Sequence, residues 1–303
     1  MRATIEEIRE AFADAGYCSN PQIDCATWVA TVAERPLLIE GNPGVGKTAV
    51  AKALAKGLGL PLIRLQMYEG LTDDKVLYDY DYQRQLLTLE AVKPKIEESY
   101  AGMSAQEAIH SVAGSIDFYG EDFLIERPIL RAIRSDRRCV LLIDEIDKAA
   151  EEMEYCLYEF LEDYAITIPQ LGEIRCDEKT RPIVIITSNG YRELSGALRR
   201  RCNYLYIEDK GYEELIEILK MQAGADDAIA KGIAACLVAI QGTELRRPPS
   251  VSEAIDWARF LSENPDRTYE TVIGTLGLLA KSHRDRPVIE RIVSERGEIL
   301  WEA

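Results

Sequence analysis

Five short apolar runs punctuate the first two thirds of the chain: residues 35–41 (RPLLIEG), 61–66 (PLIRLQ), 139–144 (CVLLID), 182–188 (PIVIITS) and 203–207 (NYLYI). Runs of this length predict strands buried on both faces. Residues 47–58 (KTAVAKALAKGL) and 147–163 read as helices between them. Buried strands alternating with helices predict an α/β fold, a parallel sheet flanked by helices. An amphipathic helix opens the chain, with Ile5, Ile8 and Phe12 on one face and a Thr4/Glu7 capping box.

After about residue 209 the apolar spacing becomes helical throughout. Leu215, Ile218 and Leu219 mark one face, and Ile229, Ile233, Leu237 and Ile240 another. Residues 250–262 and 268–296 continue as helices. The pattern divides the chain into an α/β domain, 1–208, and an all-helical domain, 209–303. Residues 67–137 exceed what one helix and one strand need, and predict an insertion. Within it, Tyr78 to Tyr82 alternate aromatic and acidic residues with period two, predicting a strand with three rings on one face. That stripe fits a partner-binding surface or rings packed on their own domain. Residues 164–176 predict a hairpin around Pro169–Gly172. Trp257 and Trp301 read as packing residues.

Composition narrows the function classes. Of 303 residues, 36 are Lys or Arg and 52 are Asp or Glu, a formal charge of 36 − 52 = −16. So acidic a chain makes a poor general binder of nucleic acid, although a local basic patch remains compatible. No apolar stretch reaches the roughly 20 residues of a membrane span. The start lacks the long apolar segment of a secretory signal. Seven cysteines without CxxC spacing predict reduced thiols and a cytoplasmic location. His110 and His283 lie far apart and predict no His/Cys metal site.

The candidate chemistry lies at the strand ends. Gly41, Asn42, Pro43, Gly44, Val45, Gly46, Lys47 and Thr48 match G-x-x-x-x-G-K-[ST] between a strand and a helix that continues with Ala49. Glycines let consecutive N–H groups converge on phosphate oxygens, and the helix start favours the anion. Lys47 is placed for the terminal phosphates and the Thr48 hydroxyl for Mg²⁺. Asp144 and Glu145 end the third strand, Asp144 suited to the Mg²⁺ shell and Glu145 to polarising a water. A solvated strand end or helix start would account for two carboxylates as well. Asn189, at the tip of the fourth strand, can orient water and phosphate, or serve only as a turn residue. Arg199, Arg200 and Arg201 form the sharpest basic cluster. An arginine there can stabilise charge on a neighbour's γ-phosphate, or join a surface salt-bridge network.

In this order the motifs resemble an AAA+ P-loop ATPase, and within it the MoxR group, with the nearest likeness to CoxD-type ATPases of carbon monoxide dehydrogenase maturation. The finer likeness rests on Leu65–Gly70, Tyr82–Leu86, Asp122–Pro128, Ile166–Gly172, Arg192–Leu194 and Ala197–Cys202. The resemblance implies a five-stranded sheet with a helical C-terminal lid, ATP and Mg²⁺ at a subunit interface, and a homo-oligomer, a hexameric ring. It implies a von Willebrand A domain partner and a metalloenzyme or other protein client. It places the hairpin of residues 164–176 facing the ring interior. It makes Arg201 the first finger candidate and Arg200 the second. A second sensor arginine is expected near Ser250, where Arg246 or Arg247 would have to substitute from upstream. A DNA-associated loader or translocase and a small-molecule P-loop kinase are the alternatives.

Overall fold

The computed structural model describes residues 3–99, 117–264 and 267–301, with side chains 95–99 excepted. His110 and much of the predicted insertion lie outside the described residues. Helices α1 (Ile5–Ala15) and α2 (Pro21–Val32) precede strand β1 (Leu37–Gly41). Then come α3 (Lys47–Gly57), β2 (Leu62–Gln66), α4 (Asp73–Val76), β3 (Tyr78–Tyr80), α5 (Tyr82–Ser99), β4 (Leu124–Glu126) and α6 (Pro128–Ile133). The α/β part ends with β5 (Val140–Asp144), α7 (Glu152–Asp163), β6 (Ala165–Ile168), β7 (Gly172–Arg175), β8 (Ile183–Ser188), α8 (Gly196–Arg201) and β9 (Asn203–Ile207). The helical part comprises α9 (Tyr212–Ala223), α10 (Asp227–Gln241), α11 (Val251–Glu263), α12 (Tyr269–Gly274) and α13 (Arg286–Arg296).

The five apolar runs form one parallel sheet in the order β2-β5-β8-β1-β9. Alternate residues feed two cores. Leu38, Leu141, Ile143, Val184 and Ile186 pack on one face, and Leu37, Ile39, Val140, Leu142 and Ile185 on the other. Burial on both faces is why these strands read as continuous apolar runs. The carboxyl ends of β1, β5 and β8 lie side by side, so their following loops converge on one crevice.

The helical part has its own core, gathered around the fully buried Trp257, whose indole N–H donates to Thr275 Oγ1 at 2.8 Å. Trp301 stands edge-on to Tyr269 with ring centroids 5.2 Å apart. No helix among the described residues is long and apolar enough to cross a membrane.

Three expectations change in detail. The helix expected over 147–163 starts at Glu152, after a 3-10 turn at Ile146–Lys148. The stretch 268–296 is broken between α12 and α13. The tyrosine stripe is shorter than its alternation suggests. Tyr78 and Tyr80 lie on β3, but Tyr82 opens α5 and is 63% exposed. Tyr80 is buried, donates its hydroxyl to the Tyr119 carbonyl and meets that ring edge-on, so these two rings pack on their own domain.

Candidate active site

The loop from Gly41 to Gly46 turns back on itself because three of its glycines take positive φ: Gly41 at 157°, Gly44 at 84° and Gly46 at 99°. Space forbids a side chain as well. A Cβ on Gly41 would lie 2.3 Å from the Ile207 carbonyl oxygen, and one on Gly44 2.2 Å from Ser250 Cβ. Ser250 caps α11 and shares a capping box with Glu253, so the first turn of this helix rests directly on the loop. Gly44→Ala is expected to cost about 2–4 kcal/mol, the sum of left-handed strain and overpacking. Gly59→Ala, at φ 63° with open space around it, pays only the strain. Thermal unfolding of the two variants separates the terms.

Lys47, buried at the start of α3, donates from Nζ to the carbonyls of Gly41 at 2.7 Å and Asn42 at 2.8 Å. Burial lowers its pKa from the ordinary lysine value, against the pull of Asp147, Glu145 and Asp144. The ammonium thus sits within a ring of loop carbonyls beside an acidic cluster, where terminal phosphate oxygens can replace neutral acceptors.

The two carboxylates are held differently. Asp144 is 2% exposed. Its Oδ1 accepts the hydroxyls of Thr48 at 2.9 Å and Thr187 at 2.6 Å. Its Oδ2 takes the Arg64 guanidinium, with Nη2 at 2.6 Å and Nε at 3.1 Å. Glu145 has φ 59°, a left-handed conformation that a non-glycine residue keeps only under constraint. Its N–H donates to Thr187 Oγ1 at 2.9 Å. Its Oε2 accepts from Gln66 Nε2 at 2.8 Å and Lys148 Nζ at 2.7 Å, and its Oε1 from Asn189 Nδ2 at 3.2 Å. Asn189 is fixed in turn, because Asp147 Oδ2 accepts its N–H at 3.0 Å and that of Tyr191 at 2.9 Å.

Every phosphate-side residue expected from sequence therefore meets in one crevice: the loop, Thr48, Asp144, Glu145 and Asn189. A serviceable Mg²⁺ position needs hard oxygen ligands, and the Thr48 hydroxyl beside the Asp144 carboxylate is such a pair. Arg64, Gln66, Asp147, Lys148 and the Thr187 hydroxyl join them without being singled out by the sequence. The register Gln66↔Asp144 across β2 and β5 is what delivers Arg64 and Gln66 to the acidic pair.

The three arginines of α8 point in separate directions. Arg199 forks onto Glu40 at 2.7 and 3.2 Å, and the Tyr204 hydroxyl donates to the same carboxylate at 2.8 Å. Arg201 pairs with the exposed Glu162 at 2.6 Å and lies over the Tyr158 ring at 4.6 Å. The exposed Arg200 side chain has no ion-pair partner among the described residues. Arg246 and Arg247 donate their backbone N–H groups to Asp285 at 3.2 and 2.9 Å, and both side chains are exposed.

A cavity of about 160 Å³ opens beside the loop, walled by Tyr17 and Cys18 from the α1–α2 turn, Gly46 and Ala49, Ile218 of α9 and Ile255 of α11. Here the N-terminal turn, the loop, α9 and α11 meet around a hollow that Lys210, Gln222 and Ser252 also line.

A parallel sheet with a phosphate-binding loop after its first strand and an acidic pair after a neighbouring one defines a P-loop nucleotide-binding fold. Residues 37–208, more than half of the chain, match the ATPase family associated with various cellular activities (AAA), and the chain belongs to that family. Among curated proteins it is similar to the replication factor C large subunit of Natronomonas pharaonis, 22% identical over 184 residues. That match covers 61% of this chain and 26% of the relative, so the chain spans about a quarter of that protein's length. Among solved structures it is similar to a point mutant of Thermotoga maritima RuvB at TM-score 0.44, with 18% identity over 99% of this chain and 73% of that one. The T. maritima RuvB Holliday junction branch migration motor gives 0.42, with 19% identity over 97% and 68%.

Proposed function

We propose that this AAA ATPase hydrolyses ATP between subunits of a ring, and that it remodels a partner protein or matures a metalloenzyme in the manner of MoxR-type ATPases. A von Willebrand A domain protein is the partner this reading expects. The observation that carries the hydrolytic part is the single crevice holding Lys47, Thr48, Asp144, Glu145 and Asn189. The MoxR assignment rests on the sequence segments quoted above.

ATP enters with its phosphates in the Gly41–Thr48 loop, where backbone N–H groups and the Lys47 ammonium exchange internal partners for phosphate oxygens. Thr48 and Asp144 would hold Mg²⁺, which when bound neutralises charge on the terminal phosphates. The Glu145 carboxylate takes the proton from the attacking water. Asn189 fixes that carboxylate from one side and Gln66 from the other. Three donors occupy the two oxygens of Glu145, so the active geometry releases at least one to make room for the water, and Lys148, on the exposed side, is the simplest to lose. Arg200 and Arg201 are proposed to reach the γ-phosphate of a neighbouring subunit. Arg200 has no ion pair among the described residues, and Arg201 would have to give up its pair with the exposed Glu162, a bond to the Ala197 carbonyl and its place over the Tyr158 ring.

The test is phosphate release from ATP with Mg²⁺ as protein concentration rises. Specific activity is expected to increase with assembly. A Lys47→Ala chain mixed with an Arg200→Ala/Arg201→Ala chain is expected to recover activity that neither has alone, because mixed neighbours rebuild complete sites. Absence of recovery in demonstrably mixed assemblies removes the fingers. The replication factor C likeness favours a second reading, a DNA-associated loader. Salt-sensitive stimulation of the ATPase by DNA would favour it over a protein client. A phosphorylated product in place of free phosphate would instead identify a kinase.

A further inference from the structure

Glu154, on α7, is a carboxylate wholly shut off from solvent, a costly group to hold in an interior. Both of its oxygens are committed to the loop between β8 and α8. Oε1 accepts from Arg192 Nη1, and Oε2 accepts the Ser195 N–H at 3.1 Å. Arg192 turns further donors on carbonyls of the turn that follows Glu145, with Nε to Ala149 at 2.9 Å and Nη2 to Ile146 at 3.4 Å. A buried charge pair is a poor source of stability, since apolar residues of like volume often serve as well. What this pair supplies is connection between the turn after Glu145 and the start of α8.

Ser195 is the N-cap of α8. Its Oγ accepts the Leu198 N–H at 3.2 Å and shares a 2.7 Å hydrogen bond with the Tyr158 hydroxyl. Helix α8 has only six residues, too few to hold a helix or a heading unaided. Its direction is therefore set by what grips it. Leu198 is buried in the core and fixes its middle. The rest of the grip comes from one face of α7, where Glu154, Tyr158 and Glu162 follow at four-residue spacing. In that order they hold the cap backbone, the cap hydroxyl and Arg201.

We propose that Glu154, locked by Arg192, is a positioning residue for the arginines that act on the neighbouring site: it sets the heading of α8, from whose last turn Arg200 and Arg201 reach across. This rests on the reading of that arginine run as fingers. The pair also ties α8 to the turn after Glu145, so the base of one site and the arginines offered to the next belong to one hydrogen-bonded frame. Neither side chain bonds the phosphate loop, Asp144 or Glu145 itself, so a change here reaches the reaction only through α8 or through that turn.

Mixed assemblies of two chains separate those routes. The donor chain carries Lys47→Ala and lends only its arginines. The acceptor carries Arg200→Ala/Arg201→Ala and lends only its ATP site. Glu154→Gln is placed in one chain at a time. A glutamine offers one acceptor oxygen where the Ser195 N–H and Arg192 occupy two, so the grip on α8 loosens while volume is kept. In the donor it is expected to lower the recovered phosphate release about 10- to 100-fold, the cost of a group misplaced by about an ångström, with KM for ATP unchanged. In the acceptor, whose arginines are already gone, the same substitution should change the rate by less than about twofold, as for an independent site. Ser195→Ala in the donor loosens the cap without touching the turn after Glu145. It should act in the same direction, and it decides the matter if Glu154→Gln does not fold or assemble. Equal losses in both placements overturn the proposal, because the pair would then serve the turn rather than the arginines. So does an unchanged donor, or a donor loss expressed in KM. If donor and acceptor without these substitutions recover nothing in demonstrably mixed assemblies, the finger reading itself falls.

Discussion

Lys47→Ala is expected to lower ATP affinity about 100-fold or more and to leave no measurable phosphate release. Hydrogen bonds to charged groups contribute about 1.5–3 kcal/mol each, and the ammonium has room for two. Its Nζ already engages two carbonyls of the loop at 2.7 and 2.8 Å, so the geometry for two acceptors exists before phosphate arrives. Exchanging neutral carbonyls for phosphate oxygens raises the electrostatic gain in a site with little water. Four carboxylates, Asp147, Glu145, Asp144 and Asp209, act on the ammonium. Its removal therefore does more than delete two bonds. The site loses its one cation within the loop, the remaining Arg64 and Lys148 being paired with Asp144 and Glu145, and it repels a triphosphate more strongly. The fold should survive, because Lys47 opens α3 and alanine is the best helix former. Equilibrium binding of a fluorescent ATP analogue, with thermal unfolding as a control on the fold, checks this. Retained ATPase activity in a folded variant would remove the loop from the mechanism.

Much of this arrangement is legible in the sequence because it is written in local signals. β5 and β8 are buried on both faces and appear as unbroken apolar runs. The phosphate loop is contiguous, so its spacing alone implies its geometry. Helix α2 escapes the apolar pattern, although Asn20 and Pro21 form a good start signal and Asn20 Oδ1 accepts from the N–H groups of Gln22 and Ile23. Its inward face carries Asp24, Thr27 and Thr31, which blur the apolar period, and Asp24 is tolerated there because Arg9 pairs with it at 3.0 Å. Arg64 and Gln66 are invisible for another reason. They reach the acidic pair only through the parallel register of β2 on β5, which joins residues 78 to 80 positions apart. The arginine run shows the converse limit. Three consecutive residues on a helix point about 100° apart, so one basic cluster in the sequence becomes three separate groups in space.

Glu145→Gln should hold ATP with an affinity within about 3-fold of the parent and release phosphate about 10²- to 10⁴-fold more slowly, the range expected for loss of a general base. The substitution preserves shape but not the pattern of acceptors. Glu145 presents two oxygens to three donors, Gln66 Nε2, Lys148 Nζ and Asn189 Nδ2. A glutamine keeps one oxygen, which satisfies Gln66 and Lys148 where they converge. Its amide nitrogen then faces Asn189, whose side chain can turn to present Oδ1. The turn costs little, because Asn189 is anchored through its backbone N–H to Asp147. The crevice therefore closes around the neutral residue, and the left-handed backbone at position 145 is unchanged. Thr48, Asp144 and Lys47, which would hold the nucleotide and its metal, make no side-chain hydrogen bond to Glu145. Binding and hydrolysis should consequently separate in this variant, whereas Lys47→Ala loses both. Single-turnover phosphate release beside equilibrium binding measures that separation. If the glutamine variant turns over within about tenfold of the parent, Glu145 is not the group that takes the proton from water, and Asp147, buried in the same cluster with one oxygen unpaired among the described residues, is the next carboxylate to test.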